Sequence, residues 1–285
     1  MARFDWYQAT VEAPIPVLRG ALESLAQDGA WEPLRRAPHG YGGGEVLKSS
    51  DGAVATLWYA GTHQWPHVVA SGEDAQRCAE LLRAQFEGHA VSRADVCIDY
   101  GEPGAYDRLQ GLALQVAEER GIKVGTAGDH LLTKQGRTLY LGATSSHTRL
   151  RLYDKAAELR QQFRADPVRL EAVPAELARL ECQVRPQTRQ AKVAAGQADP
   201  VALMGSAAWM RALMRLVAAV ELEPFAAGKP WRQGDDDRAY AAVLAQYGGL
   251  FRRIVADLGS WECLGLQIGA DLDARERVGR GSGRV

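Results

Sequence analysis

The chain has 285 residues, of which 46% are apolar and 24% charged, with a formal net charge of −1. These values are those of an ordinary soluble globular protein that buries a sizeable core, as one large domain or a main domain with a smaller appendage. Two classes are excluded: the run Ser206 to Val220, broken by Arg211 and Arg215, falls short of the ~20 apolar residues that cross a bilayer, and four scattered cysteines make no disulfide framework.

In chain order, the first predicted strand is 3–10, followed after Pro14 and Pro16 by a helix through Val17 to Ala26 with Gly29 placed to cap it. The glycines from Gly40 to Gly44 mark a turn before a strand over 53–60, and apolar spacing predicts a helix over 73–86 that stops at Gly88. The pattern then restarts: a strand ending at Tyr100, a helix over 106–120 closed by Gly121, strands near 137–142 and 149–154, a helix after Lys155, and a strand around Arg179. Arg3-x-Asp5 also echoes Arg93-x-Asp95. The expected fold is α+β, a mainly antiparallel sheet with helices packed on one face, built as a duplicated strand-helix-strands-helix unit and followed by a C-terminal helical region. Residues 200–222 and 235–258 read as two long helices. The expected domains are a catalytic unit over 1–195, the helical region over 196–272, and a disordered basic tail over 273–285.

Three of these strands alternate strictly. A period of two puts Arg93, Asp95, Cys97 and Asp99 on one face, Arg151, Tyr153 and Lys155 on another, and Arg179, Glu181, Gln183 and Arg185 on a third. The opposite faces are apolar. If the strands are neighbours, one sheet face gathers carboxylates, cations and a tyrosine. Tyr153 stands out because Arg151 and Lys155 flank it on its own face, where both favour a phenolate or hold a phosphate beside it; a half-buried sheet tyrosine is the alternative. Tyr140, with Thr138, is the nearest competitor. Asp95, Asp99 and Glu181 suit Mg²⁺ or Mn²⁺, and the residues alone equally allow ion pairs with Arg93 and Arg179. His63 and His67 have the spacing of helical metal ligands, but Pro66 argues against a helix, so a loop or DNA contact is expected there. Trp58, Tyr59 and Trp65 are candidate stacking platforms, with core burial the alternative for Trp58.

The near-neutral total conceals a basic stretch. Residues 120–192 hold 14 Lys and Arg against 7 Asp and Glu. A cationic surface of that kind draws a polyanion. The cations on and beside these strands, Arg93, Lys134, Arg137, Arg149, Arg179 and Arg185, are the expected polyanion contacts, which the resemblance below makes contacts to DNA.

The segments Asp5-Trp6, Ser71-Gly72, Arg93-x-Asp95-x-x-x-Asp99, Thr138-Leu-Tyr-Leu-Gly142 with Ser145 or Ser146, Leu150-Arg-Leu-Tyr-Asp-Lys155 with Glu158, and Arg179-Leu-Glu181 together resemble the rolling-circle replication initiators of small plasmids and filamentous phages and related relaxases of integrative elements. The resemblance runs over most of residues 1–190. It implies a metal-dependent DNA-nicking and strand-transfer enzyme with Tyr153 as nucleophile, Arg151 and Lys155 assisting, Asp95, Asp99 and Glu181 as metal ligands, and a covalent 5′-phosphotyrosine link that starts rolling-circle replication. The implied partners are single-stranded or hairpin origin DNA, a host helicase and a second copy of the chain, in the cytoplasm of a bacterial host cell. Met1-Ala-Arg-Phe-Asp-Trp6, too polar for a signal peptide, agrees with that compartment. Relaxases for element transfer and non-catalytic origin-binding regulators are the alternatives within the same resemblance.

Overall fold

A computed structural model describes residues 1–133, 135–228 and 235–281. The chain divides into two units, Met1–Pro230 and Trp231–Val285. The first holds a ten-stranded antiparallel sheet of β1 (Arg3–Thr10), β2 (Ala30–Pro33), β3 (Gly43–Ser49), β4 (Gly52–Tyr59), β5 (His67–Ser71), β6 (Ala90–Tyr100), β7 (Val124–Ala127), β8 (Thr138–Leu141), β9 (Thr148–Asp154) and β10 (Ala178–Val184). The strand order is β2-β3-β4-β5-β1-β6-β10-β9-β8-β7. The three alternating segments are therefore consecutive strands, β6, β10 and β9.

Register fixes which side chains share a face. Leu180 lies opposite Ile98 on one side and Leu152 on the other, and Leu152 lies opposite Leu139. These residues, with Val96, Leu150, Cys182 and Val184, form the apolar face. It is covered by α2 (Glu73–Gln85), α3 (Ala105–Arg120), α6 (Arg189–Gln197) and α8 (Ala208–Ala218), whose Leu82, Leu109, Val116, Ala195 and Leu213 are buried in the same core. Gly121 closes α3 in the left-handed conformation (φ +60°), which glycine adopts without strain. A bulge between Phe4 and Trp6 lets Phe4 and Tyr7 both enter the core and leaves Asp5 and Trp6 free for the other face.

The remaining helices of this unit are α1 (Ile15–Glu23), α4 (Lys155–Gln162), α5 (Pro167–Glu171) and α7 (Pro200–Leu203). The Asp154 carboxylate accepts the Ala157 N–H (2.9 Å), so the chain turns from strand to helix one residue after Tyr153.

Several expectations change. α1 ends at Glu23, with Ser24 rather than Gly29 at its cap. The helix expected over 200–222 is broken into α7, a 3-10 turn and α8 by the extended Ala207 (φ −134°, ψ 143°), and within the turn Gly205 packs so closely on Glu223 that a Cβ there would lie 2.1 Å from its carbonyl oxygen. The first unit extends past the expected boundary at 195 to Pro230, since α6 to α8 pack into the sheet's own core. In the second unit α9 (Asp235–Leu258) spans the expected helix, and α10 (Trp261–Gly281) runs into the stretch expected to be a disordered tail. Residues 282–285 lie outside the described residues.

Leu152, fully buried between Leu180 and Leu139, ties this core to the strand that carries Tyr153. Leu152→Ala is expected to cost about 2–5 kcal/mol of unfolding free energy, read as a lower urea midpoint at unchanged slope.

Candidate active site on the polar sheet face

On the opposite face the side chains form rows across the strands. Asp99, Arg179, Tyr153 and Thr138 lie directly opposite one another in turn, and a second row joins Cys97, Glu181, Arg151 and Tyr140. A third joins Asp95, Gln183 and Arg149. The expected gathering of carboxylates, cations and a tyrosine on one surface is what the register produces.

Tyr153 is 6% exposed, and its hydroxyl is buried without a hydrogen-bond partner. The Arg151 guanidinium lies 4.4 Å from the centre of its ring, and Lys155 Nζ lies 5.7 Å away. Burial, reinforced by the Glu181 carboxylate, pushes the phenol well above its ordinary pKa. The cations expected to favour the phenolate are engaged elsewhere: Arg151 Nη2 donates to Glu181 Oε2 (2.6 Å), and Lys155 pairs with Glu158 (3.2 Å). At rest the phenol keeps its proton. Tyr140, the competitor, stacks under Arg149 at 4.2 Å.

The three expected metal ligands are placed differently from one another. Asp99 accepts from Arg179 Nε and Nη2 (2.6 and 2.9 Å) and from Arg3 Nη2 (2.7 Å). Burial alone would raise its carboxyl; the hydrogen bonds from Arg179 and Arg3 outweigh this and hold it below the usual range. Arg179 also donates to Asp5 (2.6 Å), which completes a cluster of Arg3, Asp5, Asp99 and Arg179 that no single strand's alternation reveals. Asp95 is gripped by Arg93 (2.9 and 2.5 Å) and approached by Gln183 Nε2 (3.4 Å). Among the described residues, Glu181 pairs only with Arg151. Burial pushes its carboxyl up to about 7, Arg151 opposes that, and Asp95 adds to it.

The set of three is thus not assembled as one. Among the described residues, no group of three or more His, Cys, Asp or Glu side chains comes together to hold a metal ion. Asp99 is committed to Arg179 and Arg3, Asp95 to Arg93, and Glu181 to Arg151, so each carboxylate is held by a guanidinium. Asp95 and Glu181, buried and each tied to one arginine, are the pair that Mg²⁺ or Mn²⁺ would fit on displacing those guanidiniums, because Mg²⁺ in phosphate chemistry takes one or two carboxylates and completes its shell with water and substrate phosphate.

Arg93, Arg149 and Arg151 surround a hollow of about 150 Å³ with Tyr140, Glu181 and Gln183. A second hollow of about 260 Å³, lined by Arg151, Tyr153, Thr138, Glu158 and Gln161, opens beside the tyrosine. Arg151 borders both. The other expected DNA contacts are scattered. Arg185 is on the same face but bonds the Thr144 carbonyl (3.0 Å). Arg137 falls on the helical side, stacked on Tyr106 (4.1 Å) and paired with Asp107 (2.5 Å), because it precedes Thr138 by one residue and alternation turns it away. Lys134 lies outside the described residues. Among the described residues, no helix is long and apolar enough to cross a membrane.

Comparison with solved structures finds the same fold in a rolling-circle replication initiator protein from Geobacillus stearothermophilus, with a TM-score of 0.51 over 80% of this chain and 99% of that one. The two are 17% identical, so the likeness is one of fold. No protein-family model and no curated protein matches the chain.

The raised Glu181 carboxyl has a consequence for stability. Its folded pKa, about 7, exceeds the unfolded value, so the folded state binds the extra proton. This contribution is full below the unfolded pKa of about 4.3 and is lost as pH rises through about 7. In Glu181→Gln, thermal melts across that window are expected to show a shallower decline than in the wild type.

Proposed function

We propose that the chain is a replication initiator that nicks one DNA strand at an origin through Tyr153, forming a 5′-phosphotyrosine link and starting rolling-circle replication. One observation carries this reading most directly: the Tyr153 hydroxyl is buried without a partner beside a hollow bordered by Arg151, in a row with the buried Arg179. A tyrosine kept only as core would have no need of such neighbours.

The chemistry follows from the parts. A strand laid on the polar face meets Arg93, Arg149 and Arg151 around the 150 Å³ hollow, and these guanidiniums bind backbone phosphate. Arg151 reaches phosphate by releasing Glu181, which frees that carboxylate as an acceptor close to the phenol. The Tyr153 proton passes to this base, the phenolate oxygen forms a bond to phosphorus, and the bond from phosphorus to the 3′ oxygen breaks. The 3′ oxygen takes up a proton and becomes the hydroxyl that primes synthesis. The phosphotyrosine conserves the bond energy for later rejoining. Asp95, with Glu181 through the oxygen that does not take the Tyr153 proton, would hold Mg²⁺ or Mn²⁺, and the ion would supply charge neutralisation at the scissile phosphoryl oxygens. Arg179, fixed by Asp99 and Asp5, positions the tyrosine strand and is not a phosphate ligand in this scheme.

With Mg²⁺ and a single-stranded oligonucleotide spanning the origin of the element that encodes the chain, a covalent adduct is expected on denaturing gels. Tyr153→Phe should abolish it and Tyr140→Phe should not; an adduct that survives the first and disappears in the second assigns the nucleophile to Tyr140. Asp95→Asn is expected to lower the rate of adduct formation at least tenfold and to raise the Mg²⁺ concentration needed.

A further inference from the structure

The sheet repeats itself about the seam between β1 and β6. Outward from that seam, β5, β4, β3 and β2 follow β1, as β10, β9, β8 and β7 follow β6. Helices correspond too: α1 follows β1 as α3 follows β6, and α2 follows β5 as α6 follows β10. Because β1 and β6 are antiparallel, equivalent positions fall at opposite ends of the sheet.

The polar face continues across the seam, since Trp6 lies opposite Asp95 and Gln8 opposite Arg93. Alternation then places Thr10 on that face, and Thr10, His67, Trp58 and Gly44 form a row across β1, β5, β4 and β3. This row is the counterpart of Asp99, Arg179, Tyr153 and Thr138. Trp58 stands one residue before the end of β4 as Tyr153 stands one residue before the end of β9. The first half has an aromatic and a histidine where the second has its tyrosine and its buried arginine.

We propose that this counterpart site is a second, non-catalytic contact for DNA, binding unpaired bases by stacking; the proposal rests on reading the polar face as a DNA surface. Trp58 and His67 are stacked, with ring centres 5.3 Å apart and planes 12° apart, and Tyr41 and His63 are stacked at 4.1 Å and 23°. His67 is fixed by Thr10 Oγ1 (2.9 Å) and Ser92 Oγ (3.4 Å), and burial lowers its pKa to about 4, so the ring is neutral. The Trp58 indole N–H is buried without an acceptor, leaving a donor for a base or phosphate. Beside the cluster lies a hollow of about 570 Å³ lined by the exposed Arg35 and Arg36 with His39 and Tyr41, and no carboxylate lines it. Aromatic faces and unopposed guanidiniums are what a single strand needs from a protein that holds it without reading sequence.

The site is also pre-formed. The Thr62 N–H donates to the Gly40 carbonyl (3.2 Å) and His63 Nε2 lies 2.7 Å from the His39 carbonyl oxygen. Gly61, at φ +78°, sits so close that a Cβ would come within 2.2 Å of Gly40 O. β4 and β9 are five strand spacings apart, about 24 Å at about 4.8 Å each, so a strand held at Trp58 can lead across the face toward Tyr153.

Fluorescence anisotropy with a labelled oligothymidylate of about 20 nucleotides tests this directly. Tyr41→Ala/His63→Ala is expected to weaken binding about tenfold, and Arg35→Ala/Arg36→Ala to weaken it and flatten its salt dependence. The arginines are exposed, so the second variant keeps the fold if the first does not. Wild-type affinity and salt slope in Arg35→Ala/Arg36→Ala, or wild-type affinity in a folded Tyr41→Ala/His63→Ala, would overturn the proposal. Absence of any binding by the wild-type chain would overturn it together with the DNA reading of the face. Adduct formation by Tyr153→Phe bears on the catalytic reading alone, since it is scored on a different half of the sheet.

Discussion

The Arg179 guanidinium, 5% exposed and held by Asp99 and Asp5, is the contact on which the polar face depends. A buried cation is costly unless its partners are in place, and removing one partner leaves an uncompensated charge. Asp5, Asp99 and Arg179 come from three strands, so satisfying this one group fixes β1, β6 and β10 in a single register. A slip of one residue in β10 would turn Arg179 into the core and Leu180 toward solvent. The same register sets Tyr153 opposite Arg179 and Arg151 opposite Glu181. The bulge at Asp5 belongs to the same arrangement, because strict alternation would put Asp5 and Tyr7 on one face and Phe4 on the other, whereas the core requires both Phe4 and Tyr7.

The basic stretch between residues 120 and 192 does not become a bare cationic patch. Arg151 is paired with Glu181, Arg169 with Asp51 and Asp166, and Arg160 with the carbonyls of Pro174 and Ala175. On the proposed reading, phosphate must displace carboxylate at Arg151 before it is bound. That exchange keeps Arg151 paired but leaves the buried Glu181 carboxylate without its guanidinium, a charge that uptake of the Tyr153 proton relieves, and so it changes the surroundings of Tyr153. The high phenol pKa at rest then acts as a restraint, keeping the tyrosine unreactive until substrate rearranges its neighbours.

Strong alternation made β6, β9 and β10 legible, and helical spacing with terminal glycines did the same for α2 and α3. The strands that escaped notice carry weak signals. β2 is four residues ending in proline, β3 opens on two glycines, β7 is four exposed residues with no apolar alternation, and β5 is a short run of apolar residues that periodicity cannot separate from a buried helix. The site was readable where a side chain's face follows from its own strand. It was not readable where partners come from elsewhere, as when Asp5 and Arg3 claim Arg179 and Asp99 and so withdraw Asp99 from the expected ligand set. Arg137 shows how narrow the margin is: one residue separates it from Thr138, and that residue puts it on the far side of the sheet. The break at Ala207 follows the turn in which Gly205 meets Glu223, a contact that no local pattern encodes.

The duplication gives the two halves different problems to solve with the same backbone. In the second half, burying a tyrosine beside carboxylates demands guanidiniums to balance them, and those guanidiniums are then spent within the protein. In the first half, Thr10, His67 and Trp58 hold the equivalent row with no formal charge, so Arg35 and Arg36 on the adjoining loop need not neutralise anything there. A neutral aromatic row costs less to bury than an ion cluster and leaves its neighbouring cations available to a polyanion. On the two proposed readings, restraint and chemistry lie in one half and the stacking surface in the other, which removes the conflict that a single site would face, in which every arginine that steadies the tyrosine is one fewer for the strand it is proposed to cut.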